Sequence, residues 1–426
     1  MSYEFYKLDN GVRVVLIPMP GVESVAVGTY VKTGSRYETV SINGLSHFLE
    51  HMVFKGTKKF PSHEQTSYLE GLGAIQNAWT DVDATAYWCK IVADRWKEGL
   101  EMVKELALYP LFPAADLEIE RGVIVEEINR KDDRPDELAG EQLQKLVFAD
   151  NPLAMTVLGD VKVIKTVPRE EFVQYHQNQY VSGRLVVVLA GKIGSNKPEI
   201  SKLIQDYFGG LPKTQGNNFD VLNEQIDNKR YGLYKKKTAD QVHFEMGWRG
   251  LSVKDERRFP LAILTSYLGE GLSSRLFTEL REKRGLCYEV HAGGSNMEDT
   301  GLWSVYAGVG QAKFAQAVEA VWGEIKRLQS YSLTEKELVA AKEKIRGKVV
   351  FAKENPIHQM EFYARQALDR PEQMMDYDMV IDSLMRVSAS DIKDLAGELL
   401  LSETMKLSVV GEVKEQEVEK VIELIK

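Results

Sequence analysis

The sequence predicts an α+β fold of two homologous domains related by internal duplication, each an antiparallel-rich mixed sheet backed by helices. Two observations predict it. Short segments of strand type and amphipathic helical segments occur together along the chain. Segments of the first half also recur in the second half at a spacing of roughly 220 residues, which is too long for a solenoid repeat.

The duplication is visible in four pairs of segments that share residue types and order. The pairs are GLS at 44–46 and 271–273, 96–102 and 314–320, 113–127 and 333–348, and RLVVVLAGKI at 184–193 and MKLSVVGEV at 405–413. Between the halves, residues 213–230 are rich in Asn, Gln, Asp and Lys and carry almost no periodic apolar signal. We therefore expect domains at 1–212 and 231–426, joined by a linker at 213–230.

The elements of the first half follow from periodicity and from turn residues. The Asn10-Gly11 turn precedes the first strand, Ser62 and Gln65 suit a helix start, and Pro110 and Pro113 follow a helix end. The predicted strands are 12–17, 25–31, 74–80, 85–92 and 185–190. The predicted helices are 44–53, a helix from Ser62 to about Gly71, 96–108, 114–130, 138–147, 169–179 and 200–208.

Composition excludes several classes of protein. The net charge of −9 and the absence of a basic tract argue against a nucleic-acid binder. Two cysteines are too few for a disulfide framework. The longest apolar run, residues 185–190, is far too short to span a membrane, and the N-terminus does not have the pattern of a signal peptide. We expect a cytoplasmic protein that binds neither nucleic acid nor membrane.

The helical segment at 44–53 carries two histidines and a glutamate in the order His-x-x-Glu-His. His47 and His51 stand at i and i+4, so both side chains project from one helix face, with Glu50 beside them. Two nitrogen ligands, an open position for water and a carboxylate that takes a proton are what a hydrolytic zinc site needs. The alternative is a solvated polar surface. The apolar residues around the three side chains, such as Phe48 and Leu49, argue against it.

The third zinc ligand is predicted on the helix at 114–130. Glu120 and Glu127 are seven residues apart, which places them on one face, whereas Glu126 projects elsewhere. We predict that Glu127 binds the metal and that Glu120 lies close behind it. The alternative that both are ordinary surface glutamates stays open, because Glu is common in helices. Nitrogen and oxygen ligands favour zinc, one ion per chain, although manganese or cobalt would be able to substitute in vitro.

The residues HFLEH at 47–51, followed by FKGT at 54–57 and by a glutamate seventy-six residues after His51, resemble the pitrilysin family of metallopeptidases. This family includes insulin-degrading enzyme and the mitochondrial processing peptidases. The resemblance covers essentially the whole chain. It implies that His47, His51 and Glu127 bind zinc, that Glu50 is the general base and that Glu120 is an additional acid of the catalytic site.

Two further segments resemble functional parts of that family. Residues 73–80 are similar to its substrate-binding edge strand, which implies that Asn77 and Ala78 bind an extended peptide by strand addition. Taken alone, this segment is equally well an ordinary hairpin edge. Residues 280–288 contain Arg281 and Tyr288, which fit the family's arginine–tyrosine pair from the second domain. Both side chains are able to donate hydrogen bonds to a carbonyl oxygen that gains charge. Without the resemblance they would be a surface residue and a residue at the edge of the core.

Both sets of residues occur on one chain, whereas in some relatives they are divided between two proteins. The resemblance therefore implies a homodimer with two chambers, each combining the metal domain of one chain with the second domain of the other. The expected function is a zinc endopeptidase that hydrolyses peptide bonds in short or unfolded polypeptides held in extended form. Two alternatives remain: a processing peptidase that trims a specific N-terminal extension, and a catalytically silent assembly subunit.

Overall fold

The computed structural model describes residues 3–62, 64–216, 218–219, 222, 229–236 and 240–425. Its strands are β1 (Glu4–Lys7), β2 (Arg13–Pro18), β3 (Ser24–Val31), β4 (Ile75–Thr80), β5 (Thr85–Val92), β6 (Leu185–Gly191), β7 (Tyr231–Tyr234), β8 (Val242–Arg249), β9 (Cys287–Asn296), β10 (Gly301–Val309) and β11 (Lys406–Val410).

Most α-helices follow one another in runs between these strands, and a π-helix spans Phe277–Lys283. The α-helices are α1 (Leu45–Val53), α2 (Glu64–Gly71), α3 (Trp96–Leu108), α4 (Ala114–Asp132), α5 (Pro135–Phe148), α6 (Val161–Thr166), α7 (Arg169–Gln179), α8 (Lys197–Phe208), α9 (Arg258–Gly269), α10 (Phe314–Ser330), α11 (Glu335–Lys353), α12 (Pro356–Asp369), α13 (Tyr377–Arg386), α14 (Ala389–Leu399) and α15 (Glu415–Leu424).

The first of two compact units is built on a sheet with the strand order β1-β2-β6-β3-β5-β4. The pair β2–β6 is parallel, and the other neighbours are antiparallel. Side chains of alternate strand residues, such as Val14 and Val27, join a buried core with α1, α3 and α7. The opposite face is covered by α12, where Met360 lies against Gly28 of β3.

The second unit is built on a sheet with the strand order β7-β11-β8-β10-β9. Here β7–β11 is the parallel pair, and the other neighbours are antiparallel. Helix α5 covers part of this sheet, with Leu143 against Gly247 and Leu146 against Gly232. In the described residues both units are therefore mixed, mainly antiparallel sheets backed by helices, and the predicted fold class is confirmed.

The compact units do not follow the order of the chain. One comprises Met1–Asn129, Met155–Asp220 and Phe351–Asp376, and the other comprises Arg130–Ala154, Val221–Val350 and Tyr377–Lys426. Each half of the chain thus gives one helix to the sheet formed by the other half: α5 and α12. The predicted domains 1–212 and 231–426 describe homologous sequence rather than compact units, and they stay a prediction. Much of the predicted linker, namely 217, 220, 221 and 223–228, lies outside the described residues.

Several elements of the first half differ from the sequence expectation, among them β1, α6 and α5. Strand β1 was not predicted, because it is a short edge strand that is only half-buried. Helix α6 was also not predicted. It has six residues and depends on Asp160, whose carboxylate accepts a hydrogen bond from the backbone N–H of Lys162 at 2.7 Å. Helix α5 begins at Pro135 rather than at 138, because proline at the first position and the acidic residues after it suit a helix start.

In the part of the chain that the structure describes, no helix combines the length and the apolar character needed to cross a membrane. The predicted cytoplasmic location stays a prediction.

Candidate metal centre

Helix α1, which carries the predicted histidines, begins at a glycine that no other residue replaces easily. Gly44 has φ +95°, in the left-handed region, and a Cβ atom built there would lie 2.6 Å from Cα of Gly159. The helix then packs an apolar stripe into the core, where the rings of Phe48 and Phe172 meet edge to face at 4.7 Å. The stripe consists of Leu45, Phe48, Leu49, Met52 and Val53. This packing fixes the direction in which the opposite, half-buried face points.

The opposite face brings His47 and His51 together with Glu127 of α4. One atom of each side chain lies within 4.8 Å of the other two, and within the described residues this is the one His, Cys, Asp or Glu group with that property. The Oε2 atom of Glu127 lies 3.7 Å from Nε2 of His47 and 3.6 Å from Nε2 of His51. The side chains of the two histidines are 13% and 19% exposed, so the cluster is only partly open to solvent.

The distances from Glu127 to the two histidines fit a zinc ion. Ligands at roughly 2.0–2.1 Å from a tetrahedral zinc ion lie about 3.3 Å from one another. The two nitrogen–oxygen distances of 3.6 and 3.7 Å exceed this value only slightly. Two imidazoles and one carboxylate form a donor set that leaves the fourth tetrahedral position for water, as catalytic zinc sites do.

Glu120 lies on the far side of the His51 ring. Its Oε2 atom is 3.0 Å from Nδ1 of His51, and its Oε1 atom accepts a hydrogen bond from Nζ of Lys55. A proton on Nδ1 leaves the lone pair of Nε2 directed at the metal position, so this contact selects the tautomer that a ligand needs. Burial raises the pKa of Glu120, but the hydrogen bonds from Lys55 and His51 outweigh it and hold that pKa below its ordinary value. Glu120 therefore acts as a carboxylate.

Glu50 projects beside the cluster and is held by the edge strand β4. The hydroxyl group of Thr80 donates a hydrogen bond to Oε2 of Glu50 at 2.7 Å. Burial raises the pKa of Glu50, the Thr80 hydrogen bond and the charge on His51 oppose that effect, and the charge on Glu127 adds to it. A carboxylate with a raised pKa is a stronger base, which suits a group that accepts a proton.

The predicted peptide-binding residues lie on β4, the last strand of the first sheet. On its inner side β4 pairs with β5, and its outer side forms the edge of that sheet within the described residues. Asn77 is exposed and Ala78 packs against the core. The turn after β4 is clamped by Arg365 of α12, which donates to Asp81 at 2.7 Å and to Asp83 at 3.0 Å. The edge strand is therefore firmly held beside Glu50.

Arg281 and Tyr288 lie in the second unit and contact each other. The guanidinium carbon of Arg281 is 4.5 Å from the ring centre of Tyr288 and 4.8 Å from that of Phe277. Arg281 belongs to the π-helix, whose wider turns are often found at functional sites. Tyr288 is 73% exposed, although an aromatic ring of this size is usually buried. The pair is thus preformed, and the phenol group is open to a ligand.

Thr80 and Lys55 were missed as site residues in the sequence, although both lie in segments that carry the family resemblance. Thr80 is two residues after Ala78, so strand alternation already places it on the same face of the sheet as Ala78. Lys55 follows His51 by one helical turn. These two spacings in the sequence could have indicated that Thr80 and Lys55 lie at the site.

Comparisons with known proteins agree with the geometry. Residues 13–161 match the family model described as insulinase (peptidase family M16), and residues 166–345 match the model described as peptidase M16 inactive domain. The second match covers much of the half without the histidine motif.

Relatives and solved structures extend over nearly the whole chain. An uncharacterized zinc protease of Bacillus subtilis, YmxG, is 31% identical over 92% of this chain and 95% of its own length. An uncharacterized zinc protease of Streptomyces coelicolor is 30% identical over 96% of this chain and 90% of its own length. The crystal structure of a protease from Helicobacter pylori has the same fold, with a TM-score of 0.89 at 20% identity over 96% of this chain and 99% of that one. The chain therefore belongs to the insulinase family of peptidases, M16, as its resemblance to the pitrilysin group had indicated.

Proposed function

We propose that this protein is a zinc-dependent endopeptidase that hydrolyses peptide bonds in short or unfolded polypeptides bound in extended form. The observation that carries the proposal is the convergence of His47, His51 and Glu127 on one position. The names of the relatives, zinc proteases, support both the metal and the class of reaction.

The three converging side chains would hold one zinc ion. When bound, zinc supplies a Lewis acid that polarises water and carbonyl oxygen. The remaining residues prepare the position: Glu120 orients His51, and Lys55 compensates the charge of Glu120.

Glu50 is the proposed general base. Its carboxylate accepts a proton from the attacking water and passes it to the leaving amine, while Thr80 holds the carboxylate in one orientation. General-base catalysis of this kind contributes roughly 10²–10⁴-fold to the rate. The raised pKa of Glu50 brings its proton affinity closer to what the transfer requires.

The edge of β4 is the proposed binding site for the peptide. A peptide that adds as a further strand makes backbone hydrogen bonds, so its sequence matters little. The same strand carries Asn77, Ala78 and Thr80, and Thr80 contacts Glu50. A peptide running along β4 would therefore pass close to the proposed general base.

Arg281 and Tyr288 are the proposed donors to the substrate carbonyl oxygen. We further propose that the protein is a homodimer in which one chain offers these residues to the metal centre of the other. The intact presence of both residue sets on one chain supports this proposal. Size measurements under assay conditions test it, and a fully active monomer would contradict it.

The function is tested with purified protein and a mixture of unstructured peptides. We expect about one zinc ion per chain by elemental analysis, internal cleavage products by mass spectrometry, loss of cleavage with a chelator and recovery with added zinc. Cleavage of a single precursor at its N-terminal extension, without cleavage of the mixture, would favour the processing alternative. Protein that contains no zinc and cleaves nothing would favour a silent assembly subunit.

Two variants separate metal binding from catalysis in the same assay. Glu50→Gln should keep its zinc and lose roughly 10²–10⁴-fold in turnover, because the amide cannot accept the proton. His47→Ala should lose the zinc itself. A Glu50→Gln variant that cleaves at the wild-type rate would remove Glu50 from the proposed role.

A further inference from the structure

The first turn of α1 is capped by a side chain from outside the helix. Gly44 begins the helix and has no side chain to accept hydrogen bonds from the free backbone N–H groups. The Glu38 side chain accepts these hydrogen bonds instead. Its Oε2 atom accepts from the N–H of Gly44 at 2.7 Å and from Nδ2 of Asn43 at 3.0 Å, and its Oε1 atom accepts from the N–H of Ser46 at 2.6 Å. Both oxygens of one carboxylate are thus used in holding this helix start.

The same helix start is tied to two other elements by hydroxyl groups. The Ser46 hydroxyl lies 2.7 Å from the hydroxyl of Tyr175 on α7, which lies 2.9 Å from the hydroxyl of Thr33 after β3. Ser46 is the residue immediately before His47. The backbone N–H and the side chain of Ser46 are therefore both fixed one residue before the first proposed metal ligand.

Placing a carboxylate at this buried position costs free energy of desolvation. Glu38 is 4% exposed, and a buried charge is unfavourable unless it is fully hydrogen-bonded. Burial raises the pKa of Glu38 and the hydrogen bonds from Ser46, Gly44 and Asn43 lower it, with the net result that the pKa is raised to about 7. A neutral serine or asparagine would be sufficient to begin a helix. A carboxylate, in contrast, grips two backbone N–H groups at once and interacts favourably with the positive end of the helix dipole.

We propose that Glu38 is a positioning residue for the metal centre: it fixes the first turn of α1 so that His47 and His51 face Glu127. The inference rests on the zinc site of the proposed function and adds a residue that touches neither metal nor substrate. Its effect is exerted through the direction of the helix, because the histidines follow the capped turn without an intervening break.

The test is the zinc affinity of Glu38→Gln, measured by competition with a chromogenic chelator on the full chain. The amide keeps the size of the side chain but turns an NH₂ group towards a backbone donor, so at least one bond is lost. We expect the affinity to fall by roughly 10- to 100-fold, the usual effect of losing a residue that orients a ligand.

Asp391→Asn provides the matched control. The Asp391 carboxylate accepts a hydrogen bond from the backbone N–H of Ser388 at 2.7 Å in the cap of α14, within the second unit. The control also changes a capping carboxylate to an amide, so it reproduces a general loss of helix stability. We expect its zinc affinity to match that of the wild type. An equal loss of affinity in both variants would overturn the inference.

The remaining outcomes are also decisive. If the wild type binds zinc and Glu38→Gln binds it equally well, the inference is wrong although the proposed function stands. If the wild type binds no zinc, the proposed function fails first. If Glu38→Gln does not fold, Tyr175→Phe decides, because it leaves Glu38 in place and removes the hydroxyl contacts that tie Ser46 to Thr33 and Gly34. A fall in affinity of roughly 2- to 10-fold supports the inference, and unchanged affinity overturns it.

Discussion

The hydroxyl group of Thr80 donates a 2.7 Å hydrogen bond to Oε2 of Glu50, and this bond joins the edge strand of the first sheet to the histidine helix. The two residues are thirty positions apart in sequence. The contact means that the proposed base and the proposed peptide-binding edge are set by one interaction. A shift of β4 along its neighbour β5 would displace the proposed peptide-binding edge and would break its contact with the proposed base.

We expect Thr80→Val to reduce turnover by roughly 10- to 100-fold with its zinc content unchanged, because a hydrogen bond to a charged group is worth about 1.5–3 kcal/mol. Steady-state kinetics and elemental analysis on the same preparation give both quantities. Thr85→Val is the control, since the Thr85 hydroxyl is buried and donates to the backbone oxygen of Thr33 instead. Equal kinetic losses in the two variants would show that Thr80 acts only through stability.

Glu120→Gln should weaken zinc binding by roughly 10- to 100-fold, because the neutral amide has one acceptor oxygen for two donors, Nδ1 of His51 and Nζ of Lys55. Chelator competition measures the change. Glu126→Gln is the matched control, being an exposed glutamate on the same helix. The role of Glu120 would be refuted by two variants with the same affinity.

Gly44→Ala should destabilise the fold by several kcal/mol, because the new Cβ atom meets the backbone of Gly159 at 2.6 Å in addition to the strain of a positive φ. Gly271, its counterpart in the second half, also has a positive φ (+74°), but a Cβ atom there meets nothing within 4 Å. We expect Gly271→Ala to cost only about 1 kcal/mol. Urea unfolding of both variants separates strain from collision, and similar losses would contradict the steric argument.

Phe277→Leu should lower kcat/KM by roughly 3- to 30-fold without loss of zinc, since it removes one of the two rings against which Arg281 packs. Phe259→Leu serves as the control, because it removes a ring from a different arginine, Arg258, at 4.2 Å. Arg281→Lys should show a similar defect, as lysine cannot stack in the same way. Wild-type kinetics in Phe277→Leu would mean that Arg281 does not need this support.

The buried carboxyl of Glu38 should leave a signature in the pH dependence of stability. Its folded pKa is raised from 4.5 to about 7, so the folded state holds the proton more tightly than the unfolded state. The resulting stabilisation is complete below about pH 4 and is lost as the pH rises through 7. We expect the free energy of unfolding of the wild type to fall by about 3 kcal/mol relative to Glu38→Gln between these limits.

Urea unfolding in the presence of chelator measures this difference, since removing metal from both proteins leaves the histidine titrations equal and they cancel. The absolute stability of Glu38→Gln is not the quantity of interest, because the amide lacks hydrogen bonds at every pH. Parallel curves for the two proteins would contradict the raised pKa.

Sequence patterns predicted those features of the site that depend on the spacing of residues within one helix. His47 and His51 share a face because they are one turn apart, and Glu120 and Glu127 share a face because they are two turns apart. The structure brings His47, His51 and Glu127 within 4.8 Å of one another. The mainly antiparallel sheets follow from strand-type segments with turns between them. These are local properties, which neighbouring residues determine.

Contacts between elements that are distant in sequence could not be predicted from sequence patterns. The periodicity of Pro356–Asp369 indicates an amphipathic helix but carries no information about which sheet its apolar side covers. The bond from Thr80 to Glu50 depends on how a strand lies against a helix, and Glu38 becomes a cap only when its loop folds back on Gly44. The π-helix at Arg281 could not be predicted from the sequence either, because its wider turn is imposed by packing.

The exchange of α5 and α12 has a consequence for how the protein is made. The first sheet is complete in strands once Gly191 has been synthesised, but the helix that covers one of its faces ends only at Asp369. During translation that apolar face therefore stays exposed while well over a hundred further residues are synthesised. A chain stopped after its first half would carry this exposed surface permanently, which makes aggregation the expected fate of such a fragment.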